Sequence, residues 1–553
     1  MAESGHRAAD AVLLDGDFVT FDDVLPRASA LAVRDGRIVA LGASGTMRDY
    51  IGPATRVHEL GGAMVLPGLT DGHCHPTKGA IADLFTCRFV QDAAPDGIAA
   101  ALARSLADGG DADVVIGGRW VSDFFERHAL GSPRRWLDAL APTRAVYLRD
   151  DSGHNGWANS AALRLVGVDR HSADPPGGRI LREADGVEPN GLLLEAADVA
   201  ARARLPDWSA AQYRAGLLAM QRMAHGFGIT ALNDADASAP LLAAYSAADR
   251  AGELELHVAA SISTPYGPRA TALDYAHIDA LRDTHATPRV DTRFVKIYLD
   301  GVPTSARSAA MLAPYVGHPD FPPGHRGEVH VGVETLAADI AELEHRGYTV
   351  KLHTAGDGAV RVALDAIERA HRVSGRDDIR HELAHAGFVD PLDLQRFVAL
   401  NVAADLSPYL WYPAPIMASV RQALGARAEH YWPVRQMVEA GVPLLAGSDW
   451  PAAAASMNPW LGIATLVTRR AKGGAETLWG EEAIPLMTAL EIFTLGGARA
   501  LRREHLTGSL SIGKSADLIV LDRDVFAVAP DEVADTKVRM TMFAGEVVYS
   551  AEA

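Results

Sequence analysis

A chain of 553 residues with 48% hydrophobic and 22% charged side chains can bury a large globular core and a smaller one besides. Its 52 basic and 70 acidic residues leave a net charge of −18, which argues against a nucleic-acid or anionic-membrane partner, since both need clustered Lys and Arg. Two cysteines, Cys74 and Cys87, cannot staple a chain this long, no basic leader with an apolar run is visible, and no apolar stretch reaches bilayer length. A cytoplasmic protein with a small-molecule partner is expected, with homo-oligomerisation left open.

The chain opens on short apolar runs around turns. Ala11–Leu14 and Phe18–Phe21 flank Asp15-Gly16-Asp17, and Leu31–Val33 and Ile38–Leu41 flank Asp35-Gly36-Arg37. Asp-Gly between such runs predicts two hairpins. The carboxyl-terminal stretch returns to this style, with Ala516–Leu521 and then Val538–Met542 turning at Ala544-Gly545 into Glu546–Tyr549. Neither end can close a core alone, so residues 1–63 and 501–553 are expected to form one β-sandwich, split in sequence around residues 64–500.

In that middle stretch eight strands are predicted, near 64–74, 228–234, 255–262, 293–300, 347–353, 380–385, 401–407 and 442–449. Helical patterns follow several of them. After His353, Asp357 can cap a helix whose apolar Val360, Leu364 and Ile367 share a face. Strand alternating with helix implies a parallel sheet, and eight strands imply closure into a distorted (β/α)8 barrel, an α/β fold. Residues from about 77 to 225 are too many for one crossover and predict an inserted subdomain, expected to overhang the barrel mouth.

Residues of metal-ligand type recur where these strands end. His73 and His75 stand two apart, so both imidazoles share a face while Cys74 points away. In Phe294–Asp300, period-2 alternation sends Lys296, Tyr298 and Asp300 inward and Val295, Ile297 and Leu299 outward. A buried ammonium is costly unless paired, neutralised or modified. Two resolutions stand open: a salt bridge from Lys296 to Asp300, or carbamylation by CO2 into an anionic oxygen ligand able to bridge two metals. His353 and His385 end their strands in the same way, with His381 on the same face as His385 and a competing ligand. Asp449 ends an apolar strand that Trp450-Pro451 breaks. An acid there is either a helix cap or, beside a metal, a ligand and proton carrier. Neutral imidazole and carboxylate suit Zn²⁺ or a similar cation.

Taken in order, several segments resemble the amidohydrolase superfamily, in its YtcJ-like, amidohydrolase-3 branch, which includes N-substituted formamide deformylases. They are Leu66–His75, Asp151–Asn155 leading to Asn159–Leu163, Val295-Lys296 to Ser305–Arg307, His353–Asp357, Ala384-His385-Ala386, Gly447–Pro451 and Gly508–Leu518. The resemblance spans nearly the whole chain. It implies hydrolysis of an amide-like C–N bond by a metal-activated water at one or two ions, usually zinc, with His73, His75, Lys296, His353, His385 and Asp449 as the site and Asp449 as the proton shuttle. The chain departs from the family's frequent Glu-His-Ala at Ala384, which bears on support for His385. His154, Asn155, Tyr298, Arg307 and Trp411 are expected to contact substrate from loops or strand ends. Trp120, Phe124, Phe125, Trp411 and Trp450 point to an apolar or aromatic amide. The alternatives on the same site are ester, lactone or carbamate hydrolysis, isomerisation, or a catalytically silent metal-binding protein.

Overall fold

The computed structural model describes residues 8–551 apart from 91–92, 109–113, 122–123, 151–154, 176–177, 270, 305, 320, 411–415, 453 and 455. The chain divides into two compact units, one of Met1–Pro76 with Leu217–Ala553 and one of Thr77–Gly216.

The first unit holds eight parallel strands, paired in chain order. They are Leu69–Cys74, Ile229–Ala237, His257–Ile262, Val290–Tyr298, Thr349–Thr354, His381–His385, Val402–Leu406 and Leu444–Ala446. Helices cover them, as the α/β barrel reading expects. After the fifth strand comes Asp357–Ser374, with Val360, Leu364 and Ile367 buried and Gly375 ending it at φ 69°. Asp357 is its first residue rather than its cap, a position held by Gly356.

The first and eighth strands meet at two glycines. A Cβ on Gly447 would lie 2.2 Å from the His73 backbone nitrogen, and one on Gly72 would lie 2.7 Å from Leu445 Cδ1. Without those atoms the backbones approach closely enough for the Asp449 N–H to donate to the His73 carbonyl at 2.7 Å. The His75 N–H donates to the Trp450 carbonyl at 2.8 Å. The ring is thereby drawn together beside its metal-ligand-type residues.

Two further sheets in this unit draw on both chain ends. One runs in the order Arg37–Gly42, Ala30–Arg34, Ala11–Leu14, Arg56–Glu59; the other runs Glu546–Ser550, Val538–Phe543, Leu518–Leu521, Met64–Pro67, Asp17–Val19, Arg27–Ala28. Leu13, Phe18, Leu31, Val65, Leu518 and Met542 pack into one core between them. Two sequence expectations need correction here. Ala11–Leu14 and Asp17–Val19 do not form a hairpin, because the first pairs with Ala30–Arg34 and Arg56–Glu59 and the second with Arg27–Ala28 and Met64–Pro67. Asp15, at φ 54°, hands the chain from one sheet to the other. Residues 64–74 are not one barrel strand: Met64–Pro67 pairs antiparallel with Leu518–Leu521, and Leu69 begins the barrel.

The second unit carries its own sheet, ordered Gly178–Arg182, Pro189–Glu195, Asn155–Ala158, Ala145–Asp150, Val114–Trp120, Cys87–Arg88. Trp120, Phe124 and Phe125, taken from the sequence as pointers to an aromatic substrate, pack around the fully buried Trp157 of this unit. Among the described residues, no helix is long and apolar enough to cross a membrane.

Candidate metal centre

At the carboxyl end of the barrel, one ligand atom each from His73, His75 and Asp449 lies within 4.8 Å of the others. Asp449 Oδ1 stands 3.3 Å from His75 Nε2 and 3.6 Å from His73 Nε2. The rest of the predicted set joins in a chain of rings. His385 lies 4.9 Å from His73 and 4.7 Å from His353, centroid to centroid, and Lys296 Nζ is 3.5 Å from His73 Nε2. Four strands, the first, fourth, fifth and sixth, and the turn after the eighth are therefore represented within one small volume.

The chain holds these groups by hydrogen bonds that also settle protons. Asp405 Oδ2 accepts from His73 Nδ1 at 2.7 Å. Asp71 accepts from the His73 N–H at 3.2 Å and from the Ser448 N–H and hydroxyl at 3.0 and 2.7 Å, tying the first strand to the turn bearing Asp449. That turn puts Asp449 at φ 53°, and His385 is at φ 71°, left-handed backbone that costs about 1–2 kcal/mol per residue. His385 Nδ1 meets the Ser407 hydroxyl at 3.2 Å, and its carbonyl accepts from Trp432 Nε1. Ser407 thus gives His385 side-chain support where Ala384 has no carboxylate to offer. His353 Nε2 donates to the Gly301 carbonyl at 3.0 Å, which leaves the lone pair on Nδ1.

Burial sets the charge states. It holds His73 and His385 well below the usual imidazole range and brings His353 down to about 3, with the Lys296 charge pushing the same way. Neutral imidazole is the form that binds metal. Burial, then the nearby Lys351 charge, lowers Lys296 to about 8. The salt bridge to Asp300 is not made. Asp300 instead accepts backbone N–H groups from Ala310, Ala355 and Gly356 at 2.9–3.0 Å. Among the described residues no carboxylate forms an ion pair with Lys296, whose ammonium lies 5.2 Å from the Tyr298 ring centroid. Two imidazoles, a carboxylate and an uncompensated amine at hand suit a divalent cation of zinc type.

His381 is committed elsewhere. Its Nδ1 accepts from the Val350 N–H at 3.0 Å, so Nε2 carries the ring's one proton and donates it to Glu344 at 2.8 Å, with His371 Nε2 3.2 Å from the same oxygen. Four residues of extended strand, about 13 Å, separate His381 from His385, and its bond to Glu344 on a covering helix takes it out of the competition.

The substrate-contact residues divide. Tyr298 stands 5.9 Å from His353, ring to ring, and burial followed by Asp236 raises its phenol above the usual range. Arg307 is buried at φ 46° in the loop whose Gly301 bonds His353, with its guanidinium 5.5 Å from the Phe321 ring centroid. Asn155 donates to Asp150 from its backbone and its amide at 3.1 and 2.7 Å within the second unit. His154 and Trp411 lie outside the described residues.

Sequence reasoning missed the residues beneath the centre. Lys351 Nζ reaches Glu382 at 2.5 Å, Asp405 at 2.6 Å and the Gly72 carbonyl at 3.0 Å. Lys351 and Glu382 do sit on strands already predicted, where period-2 alternation would have exposed Lys351 as a second inward lysine. Nothing local marks Asp405 in Val-Ala-Ala-Asp-Leu.

A model of the Amidohydrolase family matches residues 56–549. The chain is 28% identical to an N-substituted formamide deformylase of Arthrobacter pascens, over 98% of each protein, and 28% identical to Protein LONG AFTER FAR-RED 3 of Arabidopsis thaliana, over 98% of this chain and 92% of that one. Among solved structures, a metal-dependent hydrolase from Pyrococcus horikoshii superposes with a TM-score of 0.76 at 21% identity, covering 94% of this chain and 99% of that one.

Proposed function

The chain belongs to the amidohydrolase family, and from that premise we propose that it hydrolyses an amide-like C–N bond of a small molecule at a zinc-type centre held by His73, His75, Lys296, His353, His385 and Asp449. The approach of His73 Nε2, His75 Nε2 and Asp449 Oδ1 at the barrel mouth is the observation that carries this reading. The relative that deformylates N-substituted formamides makes that bond class the first to try.

A bound divalent cation would polarise the substrate carbonyl and acidify water. The chain's own groups do the rest. His73, His353 and His385, held neutral by burial, offer lone pairs, and His75 adds a fourth imidazole. Lys296, as free amine, could attack CO2 at carbon; the nitrogen would lose a proton to solvent and become a carbamate whose oxygens could help hold a cation. Asp449, held by the Asp71–Ser448 clasp, can take a proton from water and return it to the leaving nitrogen. Tyr298 and Arg307 border the chemistry from the fourth strand and the loop after it.

The test pairs metal analysis with turnover on N-substituted formamides and other amides. His73→Ala with His75→Ala should lose both metal and turnover, and full turnover by metal-free protein sinks the reading. Product mass separates hydrolysis, which adds one water, from isomerisation, which adds none. Esters, lactones and carbamates belong in the same panel.

A further inference from the structure

We infer that Asp405 is a positioning residue that sets the tautomer and aim of His73, and that Lys351 with Glu382 holds Asp405 in place. This rests on the metal reading above but goes beyond it, because no local motif distinguishes these three side chains.

Proton counting carries the inference. Asp405, on the seventh strand and fully buried, offers one oxygen, Oδ2, to two groups: His73 Nδ1 at 2.7 Å and Lys351 Nζ at 2.6 Å. Oδ2 already accepts from the Lys351 ammonium, so any proton on this carboxyl belongs on the unpartnered Oδ1, and Nδ1 is left as the donor to Oδ2. A neutral imidazole has one N–H. The lone pair is thereby confined to Nε2, the nitrogen that lies 3.6 Å from Asp449. Left without Asp405, the ring could carry its proton on either nitrogen, and one of those states cannot bind a cation at Nε2.

Lys351 completes the device. Its ammonium hydrogen-bonds Asp405 of the seventh strand and the carbonyl of Gly72 in the first, the residue just before His73, and forms an ion pair with Glu382 of the sixth at 2.5 Å. One ammonium thus fixes both the carboxylate that orients His73 and the backbone that carries it. Two acidic side chains share this one ammonium beneath His73. Hydrogen bonding of a ligand histidine to an anionic partner increases its basicity toward metal, and loss of such a partner typically costs about 10–100-fold in affinity.

The competing view is that Asp405 only neutralises Lys351. Two measurements separate them. In the zinc-loaded protein, Asp405→Asn should release zinc to a chelator about 10–100-fold faster than wild type while circular dichroism shows it folded. Release within twofold of wild type by a folded variant overturns the inference. The second needs no folded variant at Asp405. In metal-free wild type labelled with 15N-histidine, the His73 signal, assigned by its loss in His73→Gln, should report the Nδ1–H form; an Nε2–H form or an even mixture overturns it. If wild type holds no zinc, or His73→Ala with His75→Ala keeps it, the metal reading itself has failed. If that pair loses zinc while Asp405→Asn retains it normally, only the role of Asp405 falls.

Discussion

Lys296 and Lys351 are partners in register on the neighbouring fourth and fifth strands, both with almost no exposed surface, and the chain treats them in opposite ways. Burial by itself would lower Lys351, but Asp405 and Glu382 outweigh it and keep this lysine above its ordinary value. Among the described residues Lys296 forms no such ion pair, and it falls to about 8. Of two equally buried lysines, one is a permanent ammonium that braces the barrel and the other gives up its proton far more readily. The partner set decides which is which; residue type and depth do not. The same lesson separates the upper layer of the barrel interior, with Lys296, the histidines and Asp449, from the layer of Lys351, Glu382 and Asp405 beneath it. The upper layer should govern turnover and Lys351 of the lower layer stability, with Asp405 joining the two through His73.

Asp449→Asn tests that division most sharply. Without its proton carrier, kcat should fall by about 10²–10⁴-fold while the urea midpoint barely moves; a large loss of stability with little loss of turnover would reverse the assignment of layers. Lys351→Met comes next, because it strands two buried carboxylates. It should cost about 3–5 kcal/mol in urea unfolding, since removing one partner leaves uncompensated charge in the interior. A shift below about 1 kcal/mol would mean that water or rearrangement already relieves the lower layer.

Glu344 extends the comparison to a site where histidines serve structure. Burial raises its carboxyl, but the contacts with His371 and His381 outweigh it and bring it down to about 2 from an ordinary 4.5. Its folded state therefore holds fewer protons than its unfolded state between those values. Its contribution is complete above about pH 4.5 and is lost as pH falls toward 2. At about 1.4 kcal/mol per unit this amounts to at most about 3 kcal/mol, and Glu344→Gln should flatten that part of the acid limb in a stability-against-pH curve. The smallest stability effect is expected for Lys296→Met. Removing an uncompensated amine should leave stability within about 1 kcal/mol of wild type, or raise it, although metal stoichiometry and turnover fall. Strong destabilisation would show that Lys296 has a structural partner after all.

Much of this was legible in the chain because it is local. Period-2 alternation places His73 with His75 on one face and turns Lys296 inward. Apolar runs at steady spacing mark eight strands, and Gly447-Ser448-Asp449 announces a turn with an acid at its tip. The failures were those of pairing. Asp15-Gly16 looks like a hairpin turn, yet whether two flanking runs pair or part depends on strands hundreds of residues away, such as Leu518–Leu521. The split at Gly68 escaped notice for the same reason.

Residue order thus dictated that His73, Lys296 and His353 would face the barrel interior, since side-chain direction along a strand follows from backbone geometry over a few residues. His385, on the strand face of the helix-facing His381, is instead turned in by its left-handed backbone. The assignment of each buried proton was settled by folding alone: His381 to Glu344, His73 to Asp405, and, among the described residues, no carboxylate paired with Lys296. Each depends on atoms brought within hydrogen-bonding reach from distant strands, where a few tenths of an ångström and the exclusion of water decide which group is charged.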